Sequence, residues 1–494
     1  MRITNLNPDA DIGASAWLVE IEGRSLLLDA GTHPRREAAD SLPLFEAAAH
    51  LDLEAIAISH CHLDHVGGLP VALKRFPHSR VFMTDLSYFL VERVLHNSVN
   101  VMTRQRDERG IKGYPLYTHE EVDDFAAVFD GLGYRREVEW AQPVRGRKSG
   151  GPYTLEFHDA GHTMGSAGVL VKAGRRSLFY SGDVCFHDQT LLRAAQFNGI
   201  KAEALIVETT RGAQPTPRGF SRAAEIKRLA ASIQAVQARK GGVLIPAFAL
   251  GRTQEMLATI ALLMRSGQLR RQPVYIGGLG RVFTEIYDLQ SKRTHRHHPD
   301  LKLIRELNLV VVSADEIRHM PLAGRIFVLT SGMVVENTAA YEVALRMLED
   351  QRHGIFFVGY SDPAAPGGRL RAAGTGGQCR MGEDGRVYPV KCEVDSFDLT
   401  AHAQRQSILS WIGKVNPRTV ILGHGDATAR EWFTSELKRR HPKMNVVSPG
   451  PGQTVEIASA TRSTSVASRS ASPKPTSAQG HSVEKLVVNP PLPS

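Results

Sequence analysis

Apolar positions in the first part of the chain fall in short runs closed by glycine. SAWLVEIEG (15–23) and RSLLLDAG (24–31) are two strand-length runs with a Glu22-Gly23 turn between them. LEAIAIS (53–59) is a third, and it ends against His60. TLEFHDAG (154–161), AGVLVKAG (167–174) and RSLFYSGD (176–183) repeat the strand-then-glycine pattern. From about Gly212 the period changes. SRAAEIKRLAASIQAVQARKGG (221–242) has helical spacing and a Gly-Gly stop. GGVLIPAFA (241–249) predicts a buried strand, and GRTQEMLATIALLMRSG (251–267) a helix after it. PVYIGG, LNLVVVS and RIFVLTSG are further short apolar strands. This alternation predicts an α/β layer with parallel pairing. The segment RAAGTGGQCRMGEDGRVYP (371–389) reads as loop or hairpin, and TVILGHGD (419–426) as a last buried strand ending at His424. From Ala458 on, Ser, Thr, Ala and Pro dominate, which predicts a disordered tail over 458–494.

Composition narrows the class. A chain of 494 residues suits two or three domains at about 150 residues each. Hydrophobic residues at 42% and charged residues at 22% are ordinary for a soluble globular protein. The formal net charge of +9 suits a polyanionic partner, although charge bears on association and not on fold. The four cysteines, Cys61, Cys185, Cys379 and Cys392, form no CxxC pair, which argues against a disulfide scaffold or a cysteine zinc site. The first residues lack a basic start followed by an apolar core, and no apolar run reaches about 18 residues. The expectation is a cytoplasmic protein with no membrane contact.

Candidate chemistry gathers at His60-Cys61-His62-Leu63-Asp64-His65, followed by Val66-Gly67-Gly68. An apolar strand delivers His60 to its C-terminal end, and four potential ligands fall within six residues. Imidazole and carboxylate donors suit Zn²⁺ or Mn²⁺. Burying that many ionisable groups without a cation would be costly. A lone histidine is more often a satisfied core residue, but this density points to metal.

The HxHxDH cluster with its Gly-Gly resembles the metallo-β-lactamase superfamily, and the other motifs follow in that family's order. Asp29 in LLLDAG, His162 in DAGHTMGSAGV and Asp183 in YSGDV match its first, third and fourth motifs. The later half resembles the β-CASP branch, the nucleases that include the mRNA 3′-end cleavage endonuclease. VETTRG places Glu208 at motif A, FDLTAHAQ places His402 at motif B, and VILGHGD places His424 at motif C. GGVLIPAFALGRTQEML, VLTSGM and PLYTHEEV also resemble that branch, and the likeness covers about residues 1–457. It implies an αββα sandwich with an inserted β-CASP α/β domain: 1–208 the first part of the sandwich, 209–388 the insert, 389–457 the return segment.

Carried onto this sequence, the resemblance implies two Zn²⁺, with Mn²⁺ as the other candidate. His60, His62 and His162 would hold one metal, Asp64, His65 and His424 the other, and Asp183 would bridge them. Asp29 would orient the histidine loop from behind. Glu208 would hold His402, which would protonate the leaving oxygen or contact the scissile phosphate. Arg252 would face the cleft and bind phosphate, and the N–H groups of Ser331 and Gly332 could cradle one. The implied activity is phosphodiester hydrolysis of RNA, endonucleolytic with 5′-exonucleolytic cutting as a second mode. RNA is the implied partner, with single-stranded DNA the alternative and a homodimer one candidate state.

Arg211 stands where the family has Tyr, Gln404 where it has Asp, and Asp426 where it has Glu. GYSDPAAPGGRL also departs from the pattern, with Arg369 expected to keep a basic role. These changes bear on the substrate. Competing readings are a DNA nuclease of the same branch, a small-molecule hydrolase, and a non-catalytic RNA-binding protein. The long α/β segment between Asp183 and His424 argues against a small ester substrate, and the intact ligand set argues against a protein without catalysis.

Overall fold

A computed structural model describes residues 1–142, 152–382, 385–458 and 466–467. Two sheets stack face to face. The first runs in the order Val466–Ala467, Thr454–Glu456, Arg2–Asn5, Trp17–Ile21, Arg24–Leu28, Leu53–Ala57, Arg80–Thr84, Phe129–Leu132. The second runs Asn445–Val447, Thr419–Gly423, Ala204–Glu208, Arg176–Tyr180, Ala167–Ala173, Tyr153–Asp159, Val138–Ala141. Between them lies one apolar layer that includes Ile3, Trp17, Val19, Leu155, Phe157, Ile206 and Ile421. Strands buried on both faces carry near-continuous apolar runs, which is why LEAIA and ALIVE do not alternate.

Helices cover the outer faces and complete an αββα sandwich. Asp85–Arg109 and His119–Ala126 pack outside the first sheet, and Arg405–Val415 and Ala427–Arg440 outside the second. The long helix starts where the Thr84 hydroxyl accepts the Ser87 N–H and stops at Gly110, whose φ is 68°. Thr118 and Glu121 cap the next helix reciprocally. No helix among the described residues is long and apolar enough to cross a membrane.

A third sheet of six parallel strands lies between the two segments of the sandwich: Leu309–Val311, Val274–Ile276, Ile326–Leu329, Val243–Pro246, Gly354–Phe357, Glu393–Ser396. Helices flank both of its faces, as parallel pairing requires. Its closing strand lies past the expected boundary at 388. The glycine-rich stretch before it, expected as loop or hairpin, forms a two-stranded hairpin of its own, Gln378–Arg380 with Val387–Pro389. The Gly241-Gly242 stop has a second cause. A Cβ on Gly241 would sit 1.7 Å from the Arg352 carbonyl oxygen, and one on Gly242 2.2 Å from that of Leu322. The pair lets the chain enter the middle of the sheet. Gly277 caps the helix Gly278–Leu289, which follows the strand Val274–Ile276. Of the expected tail, only Ala458 and Val466–Ala467 are among the described residues, and the latter pair with Thr454–Glu456.

Candidate metal centre

Strand ends deliver the candidate ligands to one spot. His60 follows the parallel strand Leu53–Ala57, and Asp64 and His65 sit in the short helix Leu63–Val66 that His62 precedes. His162 lies on the loop between Tyr153–Asp159 and Ala167–Ala173, and Asp183 follows Arg176–Tyr180. Glu208 closes its strand opposite Gly423, so His424 emerges beside it.

Two sets of donor atoms result. In the first, His62 Nδ1 lies 3.1 Å from His60 Nε2 and 3.2 Å from His162 Nε2. Asp183 Oδ2 is 3.7 Å from each of the latter two nitrogens. In the second, His424 Nε2 lies 3.3 Å from His65 Nε2 and 3.2 Å from Asp64 Oδ2. Asp183 Oδ1 is 3.4 Å from His65 Nε2 and 3.2 Å from His424 Nδ1. One carboxylate therefore serves both sets, an oxygen to each.

The outward nitrogens are committed as donors. His65 Nδ1 lies 2.7 Å from Asp29 Oδ2, His162 Nδ1 3.0 Å from the Ala401 carbonyl, and His62 Nε2 3.3 Å from the Leu250 carbonyl. Their inward nitrogens thus present lone pairs to one another. Such an arrangement repels itself unless a cation sits among the lone pairs. Ligand nitrogens on a tetrahedral zinc, at about 2.0–2.1 Å from the ion, stand about 3.3–3.4 Å apart. The observed nitrogen separations of 3.1–3.3 Å match that spacing closely. Asp183 Oδ1 is buried with no hydrogen-bond donor, the state of an oxygen reserved for a metal. The donor set fits a pair of divalent cations.

Burial pushes His60 and His162 well below the ordinary imidazole pKa, which favours the neutral, ligating form. Burial also opposes charge on His402, but Glu208 and Asp183 outweigh it and raise its pKa. Both Glu208 oxygens lie 3.2 Å from His402 Nδ1. Oε1 also accepts the Val184 N–H at 2.8 Å, which ties Glu208 to the residue after Asp183. His402 Nε2 faces the centre, 3.9 Å from Asp183 Oδ2.

Asp29 lies directly behind His65. It accepts the Ser59 N–H and the Tyr180 hydroxyl, both at 2.6 Å, and the Ser59 hydroxyl at 2.7 Å. Its φ of 61° is left-handed, a conformation Asp tolerates better than most side chains. Ser59 and Tyr180 escaped the sequence reading, although Ser59 directly precedes the HxHxDH run.

The structure places Arg252 away from its expected phosphate contact. Arg252 is buried and does not face the cleft: Nη1 donates to the Leu399 carbonyl at 2.6 Å and Nη2 to the Gln189 side-chain oxygen. Burial lowers its pKa to about 10, with Glu255 opposing. The Ser331 hydroxyl accepts the Val335 N–H within its own turn, and Gly332 is packed against Phe248. Arg369 folds back onto the Ala364, Arg380 and Met381 carbonyls, so it ties its helix Pro366–Ala373 to the neighbouring hairpin. Of the departures from the family pattern, Arg211 pairs with Asp398 at 2.7 Å and so joins motif A to motif B.

Residues 10–231 match the metallo-beta-lactamase superfamily model, and residues 387–449 match the Zn-dependent metallo-hydrolase RNA specificity domain. The chain is 24% identical over 485 residues to the cleavage and polyadenylation specificity factor subunit 3 of Dictyostelium discoideum, covering 92% of this chain and 57% of the relative. It is 25% identical over 496 residues to the endoribonuclease ysh1 of Emericella nidulans, covering 90% and 53%. Against the transcription termination factor FttA of Cenarchaeum symbiosum it is 26% identical over 470 residues, covering 88% and 68%. The chain thus spans little more than half the length of the first two relatives. A protein of unknown function from Enterococcus faecalis V583 shares the fold, with a TM-score of 0.52 at 11% identity over 92% of this chain and 99% of that one.

Proposed function

The chain belongs to the metallo-β-lactamase superfamily, and on that premise we propose that it is a two-zinc ribonuclease that hydrolyses RNA phosphodiester bonds. The observation that carries the reading is the division of one carboxylate, Asp183, between two sets of inward-facing ligand atoms. His60, His62 and His162 would hold one cation, Asp64, His65 and His424 the other, with Asp183 shared. Bound there, the cations supply an acidified water and positive charge against the phosphate oxygens. The protein does the rest. Glu208 fixes His402 at Nδ1, which leaves Nε2–H aimed at the centre. From there it gives its proton to the oxygen that departs as the P–O bond breaks. Asp29 keeps His65 in one tautomer and one orientation.

RNA is favoured as substrate by the RNA specificity domain match and by relatives whose names denote ribonucleases. The inserted layer, from about 209 to the strand ending at Ser396, meets the centre where the Leu250 carbonyl lies 3.3 Å from His62 Nε2, which supports a polymer over a small ester. The test uses matched RNA and DNA oligonucleotides labelled at the 5′ or the 3′ end, with and without chelator, beside Asp183→Ala. RNA cleavage that requires metal and Asp183 is expected, and the label position reports endonucleolytic or 5′-exonucleolytic cutting. Preferential DNA cleavage would favour the repair-type nuclease. Undiminished RNA cleavage by Asp183→Ala would remove the assignment.

A further inference from the structure

The inserted layer touches the metal loop through the start of one helix. Leu250 offers its carbonyl to His62 Nε2 at 3.3 Å. Gly251, with φ 87°, lies so near the loop that a Cβ there would meet Thr163 Cγ2 at 2.7 Å. Arg252 opens the helix Arg252–Arg265 and donates to Gln189. The Gln189 amide in turn donates to the carbonyls of Gly161 at 2.6 Å and His162 at 3.1 Å. Three residues on, Glu255 accepts the Leu191 N–H at 2.8 Å and also that of Thr190. From the neighbouring helix, the Tyr287 hydroxyl accepts the Met164 N–H at 2.9 Å. Every one of these contacts lands on segments 161–164 or 189–191, or on His62 itself.

Arg252 is the unusual member. Its guanidinium is buried and forms no ion pair among the described residues; its hydrogen bonds go to neutral oxygens. A buried cation without a hydrogen-bonded carboxylate is costly to keep. Each of its terminal nitrogens donates inward, one to Leu399 and one to Gln189.

We propose that Arg252 is a positioning residue for the metal centre: by orienting Gln189 it fixes the His162 loop, so the inserted layer sets the metal affinity of the His60–His62–His162 site. This rests on the two-metal reading above. Groups that orient ligands from behind typically change metal affinity or activity by about 10- to 100-fold when removed.

Gln189→Glu is the sharpest test. It keeps, as an ion pair, the contact with Arg252, but it loses both N–H donors to the loop. Metal-stripped wild type, Gln189→Glu, Arg252→Met and the double variant are titrated with Zn²⁺ against a chromophoric chelator, with thermal melts to verify folding. Wild type is expected to take two equivalents. Each variant is expected to weaken one equivalent about 10- to 100-fold and leave the other unchanged. The double variant should be no worse than the weaker single one, because the two residues act in series. Wild-type affinity for both equivalents in folded Gln189→Glu would overturn the proposal. So would a raised KM for RNA with unchanged metal affinity in Arg252→Met, the pattern of a phosphate contact. If Arg252→Met does not fold, Gln189→Glu decides alone. If wild type takes up no zinc, the two-metal reading itself falls, a result distinct from the others.

Discussion

Glu208 holds His402 with both carboxylate oxygens, each 3.2 Å from Nδ1, while one of those oxygens also accepts the Val184 N–H. The carboxylate thereby links His402 to the residue beside Asp183. His402→Ala should lower kcat by about 10²–10⁴-fold, the usual loss for a positioned proton donor, with metal content unchanged. Glu208→Gln should act in the same direction, and the double variant should be far less than additive. Single-turnover cleavage with parallel metal analysis checks this. Additive losses would mean that the two residues work separately.

Asp183 serves both ligand sets, so Asp183→Asn should reduce bound metal as well as rate. Elemental analysis after dialysis is expected to find fewer than two ions per chain, and chelator should abolish wild-type cleavage. Full metal content in the variant would contradict the shared role.

Asp29 is fully buried and accepts from Ser59, Tyr180 and His65. Asp29→Ala strands those partners and should cost about 3–5 kcal/mol in denaturant unfolding of the metal-free protein. Asp29→Asn keeps a residue that tolerates the left-handed backbone and should cost less. Equal losses would point to the carboxylate's hydrogen bonds and away from the backbone.

His187 gives a pH prediction. Burial, reinforced by the nearby Arg222, holds its pKa down to about 4. In the unfolded chain it titrates near 6.5. Between those values the unfolded state binds the extra proton, so stability falls as pH drops from about 6.5 to about 4. The loss should reach about 3 kcal/mol and should shrink in His187→Phe. Unfolding curves of both proteins across that window check it; parallel pH profiles would contradict it.

The candidate centre was legible because its donors are declared locally. His60, His62, Asp64 and His65 are packed into one short run, Asp183 and His424 each follow an apolar strand, and His162 lies on the loop between two. What escaped depends on the third dimension. Arg252 read as a cleft residue because nothing in AFALGR reveals that Gln189 and Leu399 lie over it. The Gly-Gly pair at 241–242 read as a helix stop, whereas the approach of Arg352 and Leu322 requires it. The 25-residue helix from Asp85 to Arg109 was not anticipated. Its outer side carries Tyr88 and Phe89, exposed by 37% and 39%, which blurs the apolar stripe.

His424 completes a ligand set that begins at His60, and the strand Thr454–Glu456 that closes the first sheet beside Arg2–Asn5 comes later still. During synthesis, the ribosome must therefore make the whole intervening layer before the centre can close. A chain released early, at a premature stop anywhere before His424, carries an unfinished centre. Fragments left by failed translation therefore hold only part of the donor set.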